Sequence, residues 1–345
     1  MDITVFASSN RKKNTFFLQF GTPVIDFLPF RNYIILSTQE SRKEPVMNLT
    51  DEIRSLKQQR NAVILAHNYV RPELQDIADF TGDSLELSIR AQNVKAPVIV
   101  FCGVRFMAET AKLLSPNSIV LLPNPDAGCP MANMATAEQV REYKKKNPGT
   151  LLVAYVNSTA DVKAEVDICC TSGNSETIIS AIPADRKVMF LPDRNLGANM
   201  NRKLGRSMEL WPGCCPIHNK VTVDMIREAR KAHPGAPVLV HPECQPDVIA
   251  EADHALSTGG ILKFIRESSG RQFIIGTEEG ILHRLRKENP GKEFFPLQPL
   301  MVCEDMKKIT LEQVRDVLRD LSNQVELPEQ QMKDAVRPIE KMLGQ

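Results

Sequence analysis

Short apolar runs rich in β-branched residues recur along the chain, and each ends in polar side chains. Residues 62–69 read Ala-Val-Ile-Leu-Ala-His-Asn-Tyr, residues 151–158 Leu-Leu-Val-Ala-Tyr-Val-Asn-Ser, and residues 238–244 Val-Leu-Val-His-Pro-Glu-Cys. Such runs predict strands. With His67, Asn157 and His241 as markers, the steps are 157−67 = 90 and 241−157 = 84 residues. A serine before a helix-like segment follows each run: Ser84, Ser172 and Ser257, at steps of 88 and 85. A second apolar strand then comes at 98–103, 188–191 and 273–276, with amphipathic helices predicted over 106–114 and 280–287. Landmarks that return in the same order three times predict an internal triplication.

Three cysteines keep the same step. Cys129 lies in Gly-Cys-Pro-Met, Cys215 in Cys-Cys-Pro-Ile-His and Cys303 in Val-Cys-Glu-Asp-Met-Lys-Lys, with 215−129 = 86 and 303−215 = 88. These intervals match one small α/β unit and are too long for a zinc-finger loop. Strands alternating with helices imply short parallel sheets, and ligands in such folds gather beyond the carboxyl ends of the strands. The expected fold is therefore α/β: three similar α/β/α units around a pseudo-threefold axis, each delivering a thiolate and strand-end polar groups to a central cavity. The expected units are 47–148, 149–235 and 236–324, with a C-terminal helix over 325–345 on the first. Thr310 to Gln313 has capping-box form, and Leu311, Val314, Val317, Leu318 and Leu321 form an apolar stripe. Residues 1–46 lack helical periodicity and read as a disordered leader or a mis-assigned start, with Met47 as the functional start and Asn48 as a helix cap.

Composition sets outer bounds. Of 345 residues, 42% are hydrophobic and 25% charged, which suits a globular chain. A net charge of +1 gives no reason to expect nucleic acid or an anionic membrane as partner, and no apolar run is long enough to predict a membrane span. Eight cysteines without a secretory signal point to reduced thiols, metal ligation or catalysis in the cytoplasm.

Several motifs carry a resemblance: Ala-His-Asn-Tyr (66–69), Asp-Ile-Ala-Asp-Phe-Thr-Gly-Asp-Ser (76–84), Gly-Val-Arg-Phe-Met-Ala-Glu (103–109), Gly-Cys-Pro-Met-Ala (128–132), Tyr-Val-Asn-Ser (155–158), His-Pro-Glu-Cys (241–244), Ser-Thr-Gly (257–259) and Met-Lys-Lys-Ile-Thr (306–310). In this order, from about residue 50 to the C-terminus, they resemble quinolinate synthase, the iron–sulfur enzyme family of de novo NAD synthesis. The resemblance implies a transferase that condenses iminoaspartate with dihydroxyacetone phosphate to quinolinate, phosphate and two waters. It implies a [4Fe-4S] cluster on Cys129, Cys215 and Cys303, whose open iron acts as Lewis acid. It assigns His67, Tyr69, Ser84, Tyr155, Asn157 and Ser172 to substrate binding. Ser257 and Thr258, opening a helix with Gly259 and Gly260, have the chemistry of a phosphate site, with His241 as a further donor. Glu243 matches the family's general base, its pKa expected to be raised by burial. His218 would position or protonate an intermediate, and Tyr69 joins these two as a catalytic residue. The partners implied are the small-molecule substrates and, functionally, an L-aspartate oxidase or aspartate dehydrogenase that supplies iminoaspartate.

Each residue has a plainer reading. Cys102, Cys169, Cys170, Cys214 and Cys244 read as small packing residues. The serines double as helix N-caps, and His233, His254 and His283 read as surface or packing residues. Family members with Cys-x-x-Cys-x-x-Cys at the third ligand have a possible disulfide pair; Leu297 and Leu300 stand at those positions here, so no such redox control is expected. A tetrahedral zinc set of Cys129, Cys215, Cys303 and His218 remains open, as does an electron-transfer or redox-sensing cluster module.

Overall fold

A computed structural model describes residues 48–344; the leader assigned to 1–46, and Met47, lie outside the described residues. The described chain forms one compact unit. It repeats helix–strand four times, then does so twice more. The first round runs α1 (Leu49–Gln59), β1 (Ala62–His67), α2 (Pro72–Ile77), β2 (Phe80–Gly82), α3 (Ser84–Asn93), β3 (Val98–Cys102), α4 (Arg105–Leu114) and β4 (Ile119–Leu121). The second runs α5 (Ala137–Lys146), β5 (Leu151–Tyr155), α6 (Ala160–Lys163), β6 (Ile168–Cys170), α7 (Ser175–Ser180), β7 (Val188–Leu191), α8 (Arg194–Leu204) and β8 (Glu209–Leu210). The third runs α9 (Val223–Ala232), β9 (Val238–Val240), α10 (Pro246–Glu251), β10 (His254–Ala255), α11 (Thr258–Glu267), β11 (Gln272–Gly276), α12 (Ile281–Glu288) and β12 (Glu293–Pro296). Two helices close the chain, α13 (Leu311–Asp320) and α14 (Glu329–Met342).

Each round makes a four-stranded parallel sheet in the order second, first, third, fourth. The fold is therefore α/β, built from three similar parallel sheets interleaved with helices. The central strands carry the apolar runs: β3 and β7 are buried along their whole length. Strands buried on both faces lose the polar alternation of a half-exposed sheet.

Equivalent contacts recur with the fold. Asp79, Asp167 and Asp253 each accept the backbone N–H of a residue in or opening the first strand of their sheet, from Ile64, Leu152 and Val238, at 2.8, 2.8 and 2.7 Å. Each aspartate lies 15 residues after its donor, so one carboxylate per sheet fixes where the second strand begins. Thr136, Thr222 and Thr310 cap α5, α9 and α13 in the same way. Thr310 completes the expected capping box with Gln313, and Asn48 caps α1.

The C-terminal helix, expected on the first unit, instead lies mainly along α6 and β6 of the second sheet and also reaches α4. Asn174 donates to Met342 O, and Lys341 donates to Asp167 O. The apolar side of α14, with Ala335, Ile339 and Met342 buried, decides its place. Among the described residues no helix is long and apolar enough to cross a membrane.

Candidate active site

The strands end on a common cavity of about 70 Å³, lined from all three sheets. His67 is the last residue of β1, Tyr155 the last of β5, and His241 follows β9; Ser84 and Thr258 open α3 and α11. With Tyr69, Asn157, Ser172, His218, Glu243 and the three cysteines, thirteen of the fourteen residues selected from the sequence line this space. Ser257 is the exception: its Oγ accepts the Gly260 N–H and caps α11.

One carboxylate organises the floor. Glu243 Oε1 accepts from Tyr155 Oη at 2.6 Å, and Oε2 lies 2.6 Å from His218 Nδ1. Burial alone pushes Glu243 upward, but the hydrogen bonds it shares with His218 and the Tyr155 hydroxyl oppose that and hold the carboxyl well below the usual range. The raised pKa expected for a general base is thus not found, because the donors that position this carboxylate also favour its charge.

From Glu243 a chain of hydroxyls leads to Tyr69. An ionised Glu243 requires a proton on His218 Nδ1, which leaves Nε2 as acceptor in the neutral ring. Nε2 lies 2.8 Å from Thr277 Oγ1, and Thr277 Oγ1 lies 2.6 Å from Tyr69 Oη. Thr258 Oγ1 donates to Tyr69 Oη at 3.0 Å. Every hydroxyl proton in this chain then points towards His218. Burial holds Tyr69 and Tyr155 as neutral phenols, both raised well above their ordinary value.

His67 and His241 are neutral donors. Burial, aided for His67 by nearby His241 and Lys307 and for His241 by His218, lowers both to about 3. Each Nδ1 accepts a backbone N–H two residues on, from Tyr69 at 3.2 Å and from Glu243 at 3.3 Å. The proton therefore sits on Nε2 of both rings. Asn157 also lines the cavity, and its Oδ1 is buried without a partner among the described residues, an acceptor open to a ligand.

The three cysteines share a local design. Each precedes a short 3-10 turn: Met131–Met134, His218–Lys220 and Glu304–Lys307. Backbone N–H groups in or beside these turns face the sulfurs: Ala132 and Met131 at Cys129, His218 at Cys215, Met306 and Asp305 at Cys303. Donors aimed at sulfur favour a thiolate bound to metal. In the free protein burial dominates, raising Cys129 to about 12 and Cys215 and Cys303 upward. Cys215, His218 and Glu243 place ligand atoms within 4.8 Å of one another; the set Cys129, Cys215, Cys303 and His218 does not. A single tetrahedral zinc needs four ligands that close together, and the four residues of the zinc set do not form such a group. Cys102, Cys169, Cys170 and Cys244 are buried in the body, as their plain reading expects, and Cys214 is half-buried beside Cys215.

Three groups escaped the sequence reading. Thr277 follows β11 by one residue, and nothing but its place after a strand signals it. Asp83 caps α3 through the N–H groups of Leu85 and Glu86 and also accepts the Gly259 N–H of α11 at 3.1 Å. Glu278 lines the cavity and accepts the Cys303 N–H at 3.1 Å. The amides of Gly259 and Gly260, expected for a phosphate, are therefore held by Asp83 and Ser257.

Residues 51–344 match the family described as "Quinolinate synthetase A protein". The chain is 52% identical over 296 residues to a quinolinate synthase of Desulforudis audaxviator, covering 86% of this chain and 98% of that protein. A quinolinate synthase of Methanoregula boonei gives the same identity and coverage. That of Geobacter metallireducens is 49% identical over 86% of this chain and 97% of its own length.

Proposed function

Because the chain belongs to the quinolinate synthetase A family, we propose that it condenses iminoaspartate with dihydroxyacetone phosphate to quinolinate, phosphate and two waters. It would serve as a transferase of NAD biosynthesis in a reducing cytoplasm, fed by an L-aspartate oxidase or aspartate dehydrogenase. The observation that carries this reading is the shared cavity: three cysteines, two neutral histidines, two phenols and an orphaned amide oxygen converge from three sheets.

Cys129, Cys215 and Cys303 would hold a [4Fe-4S] cluster, with sulfur-directed amides as the supporting feature. When bound, its uncapped iron supplies Lewis-acid assistance for loss of water. The remaining steps belong to the protein. The Nε2–H groups of His67 and His241, with the Ser84 and Ser172 hydroxyls, bind a dicarboxylate without cationic side chains. Asn157 Oδ1 accepts the imine or amine N–H.

Tyr69 moves protons at the substrate. As its own proton passes through Thr277 to His218 Nε2, Tyr69 Oη takes one from the substrate and stays a neutral phenol, and Glu243 stabilises the resulting imidazolium; reversal returns a proton from Tyr69 to a departing hydroxyl. Glu243 acts here as a fixed anion and His218 as the base. Enclosure by Val104, Phe106, Met107 and Met131 excludes water from an intermediate that hydrolyses readily.

Anaerobically reconstituted protein given both substrates should release phosphate and quinolinate in equal amounts. Phosphate without quinolinate would reduce the protein to a phosphate-eliminating enzyme and contradict the condensation.

A further inference from the structure

A buried carboxylate and a partly buried ammonium group beside the cavity have no role in the chemistry above. Glu278 is 1% exposed and stands two residues beyond the end of β11. Its Oε1 accepts the Cys303 N–H at 3.1 Å and lies 2.9 Å from Lys307 Nζ; its Oε2 accepts the Gly280 N–H at 2.8 Å. Lys307 Nζ also donates to Tyr69 O at 2.6 Å and pairs with Glu279 at 3.0 Å. One ammonium group thus joins the Tyr69 segment, the end of β11 and the Cys303 turn.

We propose that Glu278 and Lys307 form a positioning pair for the third cluster ligand: Glu278 fixes the Cys303 amide, and Lys307 compensates Glu278 and ties both to the backbone of Tyr69. The inference rests on the ligand set proposed above. The second sheet offers a parallel. Asp193 stands two residues beyond the end of β7, and the Cys215 amide faces it. In the first sheet the same offset holds Val104, and no carboxylate takes that place. A lysine counter-charge belongs to the third unit, where the carboxylate also borders the strand end of the first.

A carboxylate that hydrogen-bonds the backbone of a ligand sets the direction of its sulfur, and loss of such partners typically weakens metal binding about 10–100-fold. Deleting Lys307 alone leaves a buried, uncompensated carboxylate against a metal-bound thiolate. Deleting both charges is milder, since a glutamine oxygen still accepts the Cys303 N–H.

The test is chelator-driven iron loss from anaerobically reconstituted holoprotein, followed by visible absorbance, with melting temperature recorded alongside. Lys307→Met should lose iron about tenfold faster than wild type. The double variant Lys307→Met/Glu278→Gln should return to within a few-fold of wild type. Wild-type rates in Lys307→Met would overturn the proposal. So would equal acceleration in the single and double variants tracking a common fall in melting temperature, which marks general loosening. A wild type that takes up no iron overturns the ligand set, and this proposal with it.

Discussion

Glu243 shows how one side chain can be conspicuous in sequence and still misread. Its place two residues after His241 marks it as reactive, and burial suggests a raised pKa. The structure surrounds it with His218 and Tyr155, both distant in sequence, and their hydrogen bonds hold it anionic. Glu243→Gln should lower kcat by about 10²–10³-fold, within the range for a positioned acid–base group, with little change in melting temperature. Unchanged kcat would contradict the relay. Lys163 makes the opposite case: fully buried and without an ion pair among the described residues, it donates to Thr110 Oγ1 at 2.9 Å, and burial lowers it to about 8. The unfolded lysine holds its proton to about 10.4. The folded state thus pays for the charge below pH 8 and is relieved between pH 8 and about 10.4, so stability rises with pH there. Lys163→Met should therefore stabilise the protein by up to about 3 kcal/mol at pH 7 and by progressively less above pH 8, measurable by denaturant unfolding.

At the scale of elements, the long buried strands were legible because apolar β-branched runs have few other uses. The short ones were not: β2, β6 and β10 span three, three and two residues and carry no period. Their position comes from Asp79, Asp167 and Asp253, which bind backbone rather than form a pattern of hydrophobicity. Those aspartates recur at steps of 167−79 = 88 and 253−167 = 86, a signal present in the sequence. Helix α14 could be foreseen as a helix but not placed, since one apolar stripe fits several surfaces. The junction of α3 and α11 makes a sharper prediction. A Cβ on Gly259 would stand 2.7 Å from Asp83 Oδ2, inside any tolerable contact. Gly259→Ala should force these helix starts apart, costing about 1–3 kcal/mol of stability and most of the activity; a variant with wild-type melting and turnover would show that the contact is dispensable.

For the whole molecule, the repeat made the architecture readable: one α/β unit written three times fixes strand direction, helix placement and the convergence of strand ends. What the repeat hides is where the copies differ, and Thr277 and Asp83 lie at such differences. The neutral histidines give the assembled site a pH signature. His67 and His241, lowered to about 3 in the fold against an ordinary value of 6.5, must be protonated on unfolding in acid. Stability is therefore complete above pH 6.5 and falls below it, by about 2 kcal/mol for each histidine between pH 6.5 and 5. A His241→Asn variant should flatten this dependence; an unchanged acid profile would contradict the neutral assignment.

The claim on which the account depends is that three thiols from three repeats hold one cluster that serves quinolinate formation. Iron content and quinolinate production, measured together under anaerobic conditions, test it most directly. The set is wild type, Cys129→Ser, Cys215→Ser and Cys303→Ser, with Cys214→Ser as the neighbouring control. The account predicts about four irons and product in wild type and in Cys214→Ser, and loss of product in each of the other three. A brown wild type without product would keep the cluster and refute the reaction, and a colourless protein that binds one zinc would refute both.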